Sequence, residues 1–353
     1  MDKDIKNNFS QLPLIRNAKQ RMMDAKSQPH IKQLCSMIWQ TDELHLLFAD
    51  TGIGKSILAV ALSNALSKGI KFMFLENENE ALPVLYYDFE LSDKQFEKRY
   101  TGIKEYDFSE NFFIDNIDFA ALTKVNPEAK FNDLLFDKIK YDITQFQPKV
   151  LVIDNLTFLN TQSMQETEIA LGVMRQLNEL KKEYGLSILV LAHTPKRSLF
   201  SPITLNDLAG SKHLSNFADS VSALGKSPQD DSIRYWKQVK ASRSGEMLYG
   251  TNNVIACKII KPDDFLTFEF IDFCSEYDHL KTETEKKETP SQVYDVADMV
   301  KQKIPYDEIA NRLGISKGTI TKWKNKYTDL FVSVSSVSES TLFGNEETGN
   351  DTV

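Results

Sequence analysis

Apolar residues along the chain fall into two alternating patterns. Short unbroken apolar runs, "LHLLFA" from Leu44, "VLYYDFE" from Val84, "KVLVIDN" from Lys149 and "LSILVLAH" from Leu186, read as buried strands. Between them, "KSILAVALSNALSKG" from Lys55 and the segments near 129–146 and 166–184 repeat apolar residues at helical spacing, and Gly69 stops the first. Strands alternating with helices predict a mainly parallel sheet covered on both faces, an α/β fold. Beyond residue 232 the runs "VIACKIIK" and "FLTFEFIDF" predict antiparallel strands that complete or extend it.

The same pattern sets the expected boundaries. Residues 1–30 are polar and read as an arm, weakly ordered or in short helices, ahead of a main domain over 31–280. "KTETEKKETPS", residues 281–291, is charged, nearly free of apolar residues and carries a proline, so it reads as a linker. Residues 292–328 form a compact helical pattern, and the polar, acidic stretch 329–353 reads as disordered.

Composition narrows the class without deciding it. The 353 residues are 41% hydrophobic and 26% charged, ordinary for a globular protein, and no apolar run approaches the roughly 20 residues of a membrane span. "MDKDIKNNFS" has no apolar signal core, so a cytoplasmic protein without membrane contact is expected. Cys35, Cys257 and Cys274 have no C-x-x-C spacing, which argues against a disulfide framework or a zinc cluster. The net charge of -8 gives no global attraction to nucleic acid, so any such binding must come from local basic patches.

The candidate chemistry begins at "FADTGIGKSILAVAL". From Ala49 through Asp50, Thr51, Gly52, Ile53, Gly54, Lys55, Ser56 and Ile57 it nearly spells G-x-x-x-x-G-K-[ST], with Ala49 at the first glycine. In such a loop the backbone amides cradle phosphates, Lys55 reaches the β and γ phosphates of ATP, and Ser56 helps hold Mg²⁺. The first glycine eases a turn out of the strand, and alanine serves there provided φ stays negative. Asp154, ending a buried strand, suits the magnesium shell, although a capping aspartate is the plainer alternative. Glu90, read as ending another strand, suits orientation and deprotonation of the attacking water.

Taken with "ILVLAHTPK", "DLAGSKHLSNFADSVSAL" and "YWKQVKASRSGE", these segments resemble the RecA-like ATPases, and within them the RepA and DnaB-type hexameric helicase branch, over about residues 33–275. The resemblance implies a RecA-like P-loop core, Glu90 as catalytic glutamate and His193 as a polar sensor near the γ-phosphate. It also puts Lys196, Arg197 and Lys212, near His213, in regions that line a central channel in related rings, where basic groups would follow single-stranded DNA; solvated surface loops are the equal alternative. The branch's Lys-x-Arg pair, which reaches into the neighbouring subunit's ATP site, falls on Lys240 and Arg243. The spacing here is one residue wider, which leaves open which lysine takes part. Head-to-tail contacts of this kind close into a ring, a hexamer in the resembling branch, or run on as a filament.

"YDEIANRLGISKGTITKWKNKY", from Tyr306, fits a helix-turn-helix with Gly314 at the turn and Ser316 capping the second helix. Lys317, Thr319, Lys322 and Lys324 on that helix suit duplex DNA, and Trp323 reads as core; a protein-docking module with the same packing is the alternative. With a small all-α helix-turn-helix domain attached, the resemblance implies an ATP-driven DNA motor, a replicative or mobilisation helicase of a plasmid or other mobile element. Its rival is a DNA-bound ATP switch that recruits partners without unwinding. A small-molecule kinase would want clustered arginines, which the sequence lacks.

Overall fold

The computed structural model describes residues 15–156, 166–194, 197–208, 212–243, 245–280 and 292–331. The chain divides into two units, Met1–Leu280 and Lys281–Val353. In the first, strands β1 (Gln33–Cys35) and β2 (Trp39–Gln40) pair with each other. Strands β3 (Leu44–Ala49), β4 (Val84–Asp88), β5 (Phe112–Asp115), β6 (Val150–Asp154), β7 (Ser187–His193), β8 (Ser220–Lys226), β9 (Ile233–Lys240), β10 (Val254–Ile260) and β11 (Thr267–Cys274) form a second sheet. The helices are α1 (Ala18–Ala25), α2 (Lys55–Lys68), α3 (Asp93–Arg99), α4 (Phe119–Val125), α5 (Phe131–Phe146), α6 (Glu166–Tyr184), α7 (Lys212–Phe217) and α8 (Glu276–Leu280).

The large sheet runs β11-β10-β9-β8-β3-β7-β6-β4-β5. From β8 to β5 every pairing is parallel, and β9, β10 and β11 continue it antiparallel. This is the α/β arrangement that the hydrophobic pattern predicts. Strand β3 lies at the centre and is buried along its whole length, because β7 and β8 flank it and both faces are covered. Leu135, Ile139, Val173 and Leu177 of α5 and α6 cover one face, whereas Leu58, Ala61, Leu62 and Leu66 of α2 cover the other. Gly69, at φ 67, ends α2 by returning its amide to Ala65 and Leu66, in the left-handed conformation open to glycine.

Strands β1, β2, β5 and β8 escape the sequence reading. β5 is short and half-exposed, β8 mixes serine and glycine with its apolar residues, and β1–β2 is a local hairpin. β4 also ends earlier than expected: it stops at Asp88, whose Oδ1 accepts the Glu90 and Leu91 amides at 2.9 Å and turns the chain. Glu90 therefore stands two residues past its strand. Along β8–β9, Val221 pairs with Lys240 and Ser222 with Gln238, which leaves Val239 as an extra, bulged residue. Cys35 and Cys257 are buried as packing residues, and no described helix is long and apolar enough to cross a membrane.

A polar network lies beneath the start of β3. His45 is enclosed, with its ring nitrogens 2.8 Å from Ser220 Oγ and 2.7 Å from Ser222 Oγ. Burial lowers its pKa to about 3, so it is neutral in the folded chain. The unfolded histidine binds a proton below about 6.5, and the folded one does not until about 3, so stability falls as pH falls through that window. In urea titrations, unfolding free energy should drop by about 1.4 kcal/mol more per pH unit between pH 6 and 4 than in His45→Gln. Equal pH slopes in the two proteins would refute the assignment.

In the second unit, α9 (Gln292–Lys301), α10 (Tyr306–Leu313), α11 (Lys317–Lys326) and α12 (Thr328–Phe331) gather around Val296, Ile309 and Ile320. Gly314, at φ 66, turns the chain after α10, and Ser316 caps α11 through the Thr319 amide. Trp323 packs on this core. The helical unit runs further than the sequence predicts, because Phe331 also packs on it. The expected linker at 281–291, the stretch from 332 onward and residues 1–14 lie outside the described residues.

Candidate active site

β3 delivers the phosphate loop. Ala49 ends the strand without entering the left-handed region, so the departure from glycine costs no backbone strain. Gly52 (φ 77) and Gly54 (φ 110) take conformations that side chains disfavour, which turns successive amides toward one concavity. Gly54 is also hemmed in: a Cβ there would lie 2.8 Å from Ile259 Cδ1 and 3.2 Å from Phe268 Cζ. α2 begins at Lys55 with no side-chain cap, which leaves first-turn amides for an anion. Within the loop Ile53 is buried and Thr51 exposed, while Ile57 packs on the core from α2. Two residues brace the loop from outside. Arg234 Nε donates to Ile53 O at 2.8 Å, and Thr194, just past β7, donates its hydroxyl to Asp50 and its amide to Ala49 O.

Lys55, only 5% exposed, stands near two carboxylates. Burial lowers its pKa, while Asp154 and Glu90 work in the opposite direction. Asp154 pairs in register with Asp88 at the ends of β6 and β4. Its Oδ2 accepts the Tyr86 hydroxyl at 2.7 Å, and its Oδ1 is buried with no hydrogen-bond partner. Burial raises the Asp154 pKa, and Lys55, Tyr86 and Ser56 bring it back down. A buried, unsatisfied carboxylate oxygen beside a loop serine fits a divalent cation and its water shell. Ser56 and Asp154 would hold Mg²⁺, which supplies charge neutralisation on the phosphates.

Glu90, Asn155 and His193 come together above Asp154. The Asn155 amide donates to Glu90 Oε1, and His193 Nε2 lies 2.9 Å from Asn155 Nδ2 and 3.4 Å from Glu90 Oε1. His193 is the main cause that holds the Glu90 carboxyl below its ordinary range; burial opposes it and Lys55 reinforces it. Glu90 is thus ionised at neutral pH and able to take a proton from water. The arrangement provides a phosphate cradle, a buried cation, a cation site and a restrained base at the carboxyl edge of one parallel sheet.

Other predicted residues lie elsewhere. Asp219 accepts the Leu44 amide and pairs with Arg243, so Arg243 stands at the start of β3. The loop follows the other end of that strand, about 17 Å away at 3.3 Å per residue. Arg243 cannot reach its own chain's phosphate loop. Lys240, expected to reach outward, instead donates to Ser215 O and Ala218 O at the end of α7. The Arg197 side chain, 7% exposed, faces Asp207 and Ser201 O instead of solvent. Lys196 and the side chain of Lys212 lie outside the described residues. On α11, Lys322 and Lys324 are exposed, Lys317 pairs with Asp307, and Thr319 Oγ1 lies 2.9 Å from Ser316 Oγ.

Tyr86, Asp88, Asn155, Thr194 and Arg234 belong to the site and escape the sequence reading. Asn155 had a usable signal, since it directly follows Asp154. A family model described as an AAA domain matches residues 15–198, a span that contains the loop, Glu90, Asp154 and His193. Among solved structures, a KaiC-like protein from the hyperthermophilic archaeon Pyrococcus horikoshii OT3 is similar at 14% identity, with a TM-score of 0.44 over 65% of this chain and 90% of that one. No curated protein matches. The match covers more than half of the chain and holds its phosphate loop, so the protein belongs to the AAA domain family of P-loop ATPases.

Proposed function

We propose that this ATPase is a ring-forming motor that acts on DNA, of the RecA-like RepA and DnaB type. The observation that carries the reading is the placement of two groups at opposite ends of β3. The nucleotide loop follows one end and Arg243, 67% exposed, stands at the other. A guanidinium that cannot reach its own loop is available to the next chain, and head-to-tail repetition of that contact closes a ring. The capped, lysine-rich α11 supports duplex binding by the second unit. A non-unwinding ATP switch is favoured by one observation, the inward pairing of Arg197, which removes a cation from the candidate channel loops.

Turnover measured with single-stranded and duplex DNA separates the two. The motor reading expects single strands to raise kcat and a tailed duplex to be opened. Replacing Lys317, Lys322 and Lys324 together with alanine should weaken duplex binding and flatten its log-log salt dependence by about 3. If duplex but never single-stranded DNA alters turnover, and no tailed substrate opens, the switch reading replaces the motor.

A further inference from the structure

The segment that carries Arg243 is held far more firmly than an exposed cation requires. Asp219, mostly buried, is its hub: Oδ1 lies 2.8 Å from Arg243 Nε, and Oδ2 accepts the Leu44 amide at 2.9 Å and pairs with Lys181 of α6. The preceding residue, Ser242, is 5% exposed and donates its hydroxyl to Glu43 Oε1. Glu43 Oε2 in turn receives the Ser220 hydroxyl and the Gln40 amide, each at 3.3 Å. Lys240 is tied to Ser215 O at 2.8 Å and Ala218 O at 2.6 Å. Three residues of one short stretch are therefore fixed to the beginnings of β3 and β8 and to the end of α7. Arg243 itself stays largely in solvent while its Nε is anchored.

Burying two neighbouring carboxylates is unfavourable, and burial together with Asp219 pushes the Glu43 carboxyl up. A surface arginine gains little from such a site. The arrangement makes physical sense if orientation matters. A carboxylate bonded to Nε fixes the plane of the guanidinium, and a guanidinium whose plane is fixed meets an incoming phosphate with less ordering to do.

We infer that Asp219, with Glu43 acting through Ser242, forms a clamp that presents Arg243 to the nucleotide of the next subunit. The inference rests on the ring reading above. Asp219, Glu43 and Ser242 are positioning residues, since none of them reaches the phosphates. The clamp also joins the giving site to the receiving one, because Glu43 and Leu44 lead directly into the strand that ends at the loop.

The test uses mixed full-length rings. Lys55→Ala subunits keep the clamp and Arg243 but lack their own phosphate lysine; Arg243→Ala subunits keep the loop and lack the guanidinium. Their mixture should hydrolyse ATP above the sum of the two preparations. Adding Ser242→Ala or Asp219→Asn to the Lys55→Ala partner should lower that complemented kcat about tenfold or more, with KM for ATP and assembly mass unchanged. Ser242→Thr in the same partner should restore it, because the hydroxyl returns. Asp219→Asn keeps an acceptor for the Leu44 amide, and Ser242→Ala leaves Asp219 intact, so a folding defect in one does not remove the other. If both altered partners complement as well as plain Lys55→Ala, the clamp is overturned while the ring stands. If the plain mixture never exceeds the sum although subunits exchange, the ring reading fails and the clamp with it.

Discussion

Glu90→Gln should lower kcat for ATP by about 10²–10⁴-fold while nucleotide affinity stays within a few-fold of the parent. Glutamine keeps the volume and one acceptor oxygen for the Asn155 amide, so the hydrogen bond that restrains position 90 can persist. What disappears is the ionised carboxylate beside His193, and with it the proton acceptor for water. Affinity resides elsewhere, in the loop amides and Lys55, so Lys55→Ala should lose binding and turnover together. Titration with a fluorescent nucleotide and single-turnover phosphate release distinguish the two patterns. Normal phosphate release by Glu90→Gln would remove Glu90 from the role of base.

Lys237→Met should destabilise the first unit by about 3–5 kcal/mol, the range for breaking a buried ion pair from one side. Lys237 and Glu276 are both buried and bonded to each other. Lys237 also donates to Ile203 O at 3.0 Å and Thr251 Oγ1 at 2.9 Å, while Glu276 Oε1 accepts the Ile203 amide at 2.7 Å. Methionine fills much of the same space but leaves the Glu276 charge without its partner. Ile203, bonded by both of its backbone groups, lies in the segment that follows β7 toward α7, so its anchorage should loosen as well. Chemical denaturation measures the first effect. A simultaneous Lys237→Met, Glu276→Leu change should recover much of the loss, since an uncompensated charge is the cause. A double variant no more stable than the single one would contradict that account.

The readable and unreadable parts of the molecule divide along sequence distance. β3, the loop and α2 are contiguous, so their periodicity and their glycines announce them; Asp154 and His193 end apolar runs and are visible for the same reason. The supports come from across the sheet. Arg234 reaches Ile53 from 181 residues away and Thr194 reaches Asp50 from 144, and neither pairing leaves a local trace. Lys240 illustrates the opposite error. A lysine near a strand end reads as free to reach outward, but the carbonyls that bind it belong to the end of a short helix formed elsewhere in the chain. Charge alone says nothing of such neighbours. Glu90 is found by its type, whereas its distance past β4 is set by Asp88 turning the chain.

The extra residue on β9 bears on how chains of this kind can diverge. Side chains alternate faces along a regular strand, and a bulge interrupts that alternation. Val239 packs on the same core as Tyr235, and Lys240 beside it bonds to α7 on that side, so two successive residues share one face. Loss of Val239 would restore a regular ladder and leave Arg234 on Ile53 and Lys240 toward α7, whereas an insertion or deletion nearer Arg234 would invert every residue beyond it. Inheritable changes of length in this strand are thus channelled to a single position, between the residue that braces the chain's own loop and the arginine at its far end.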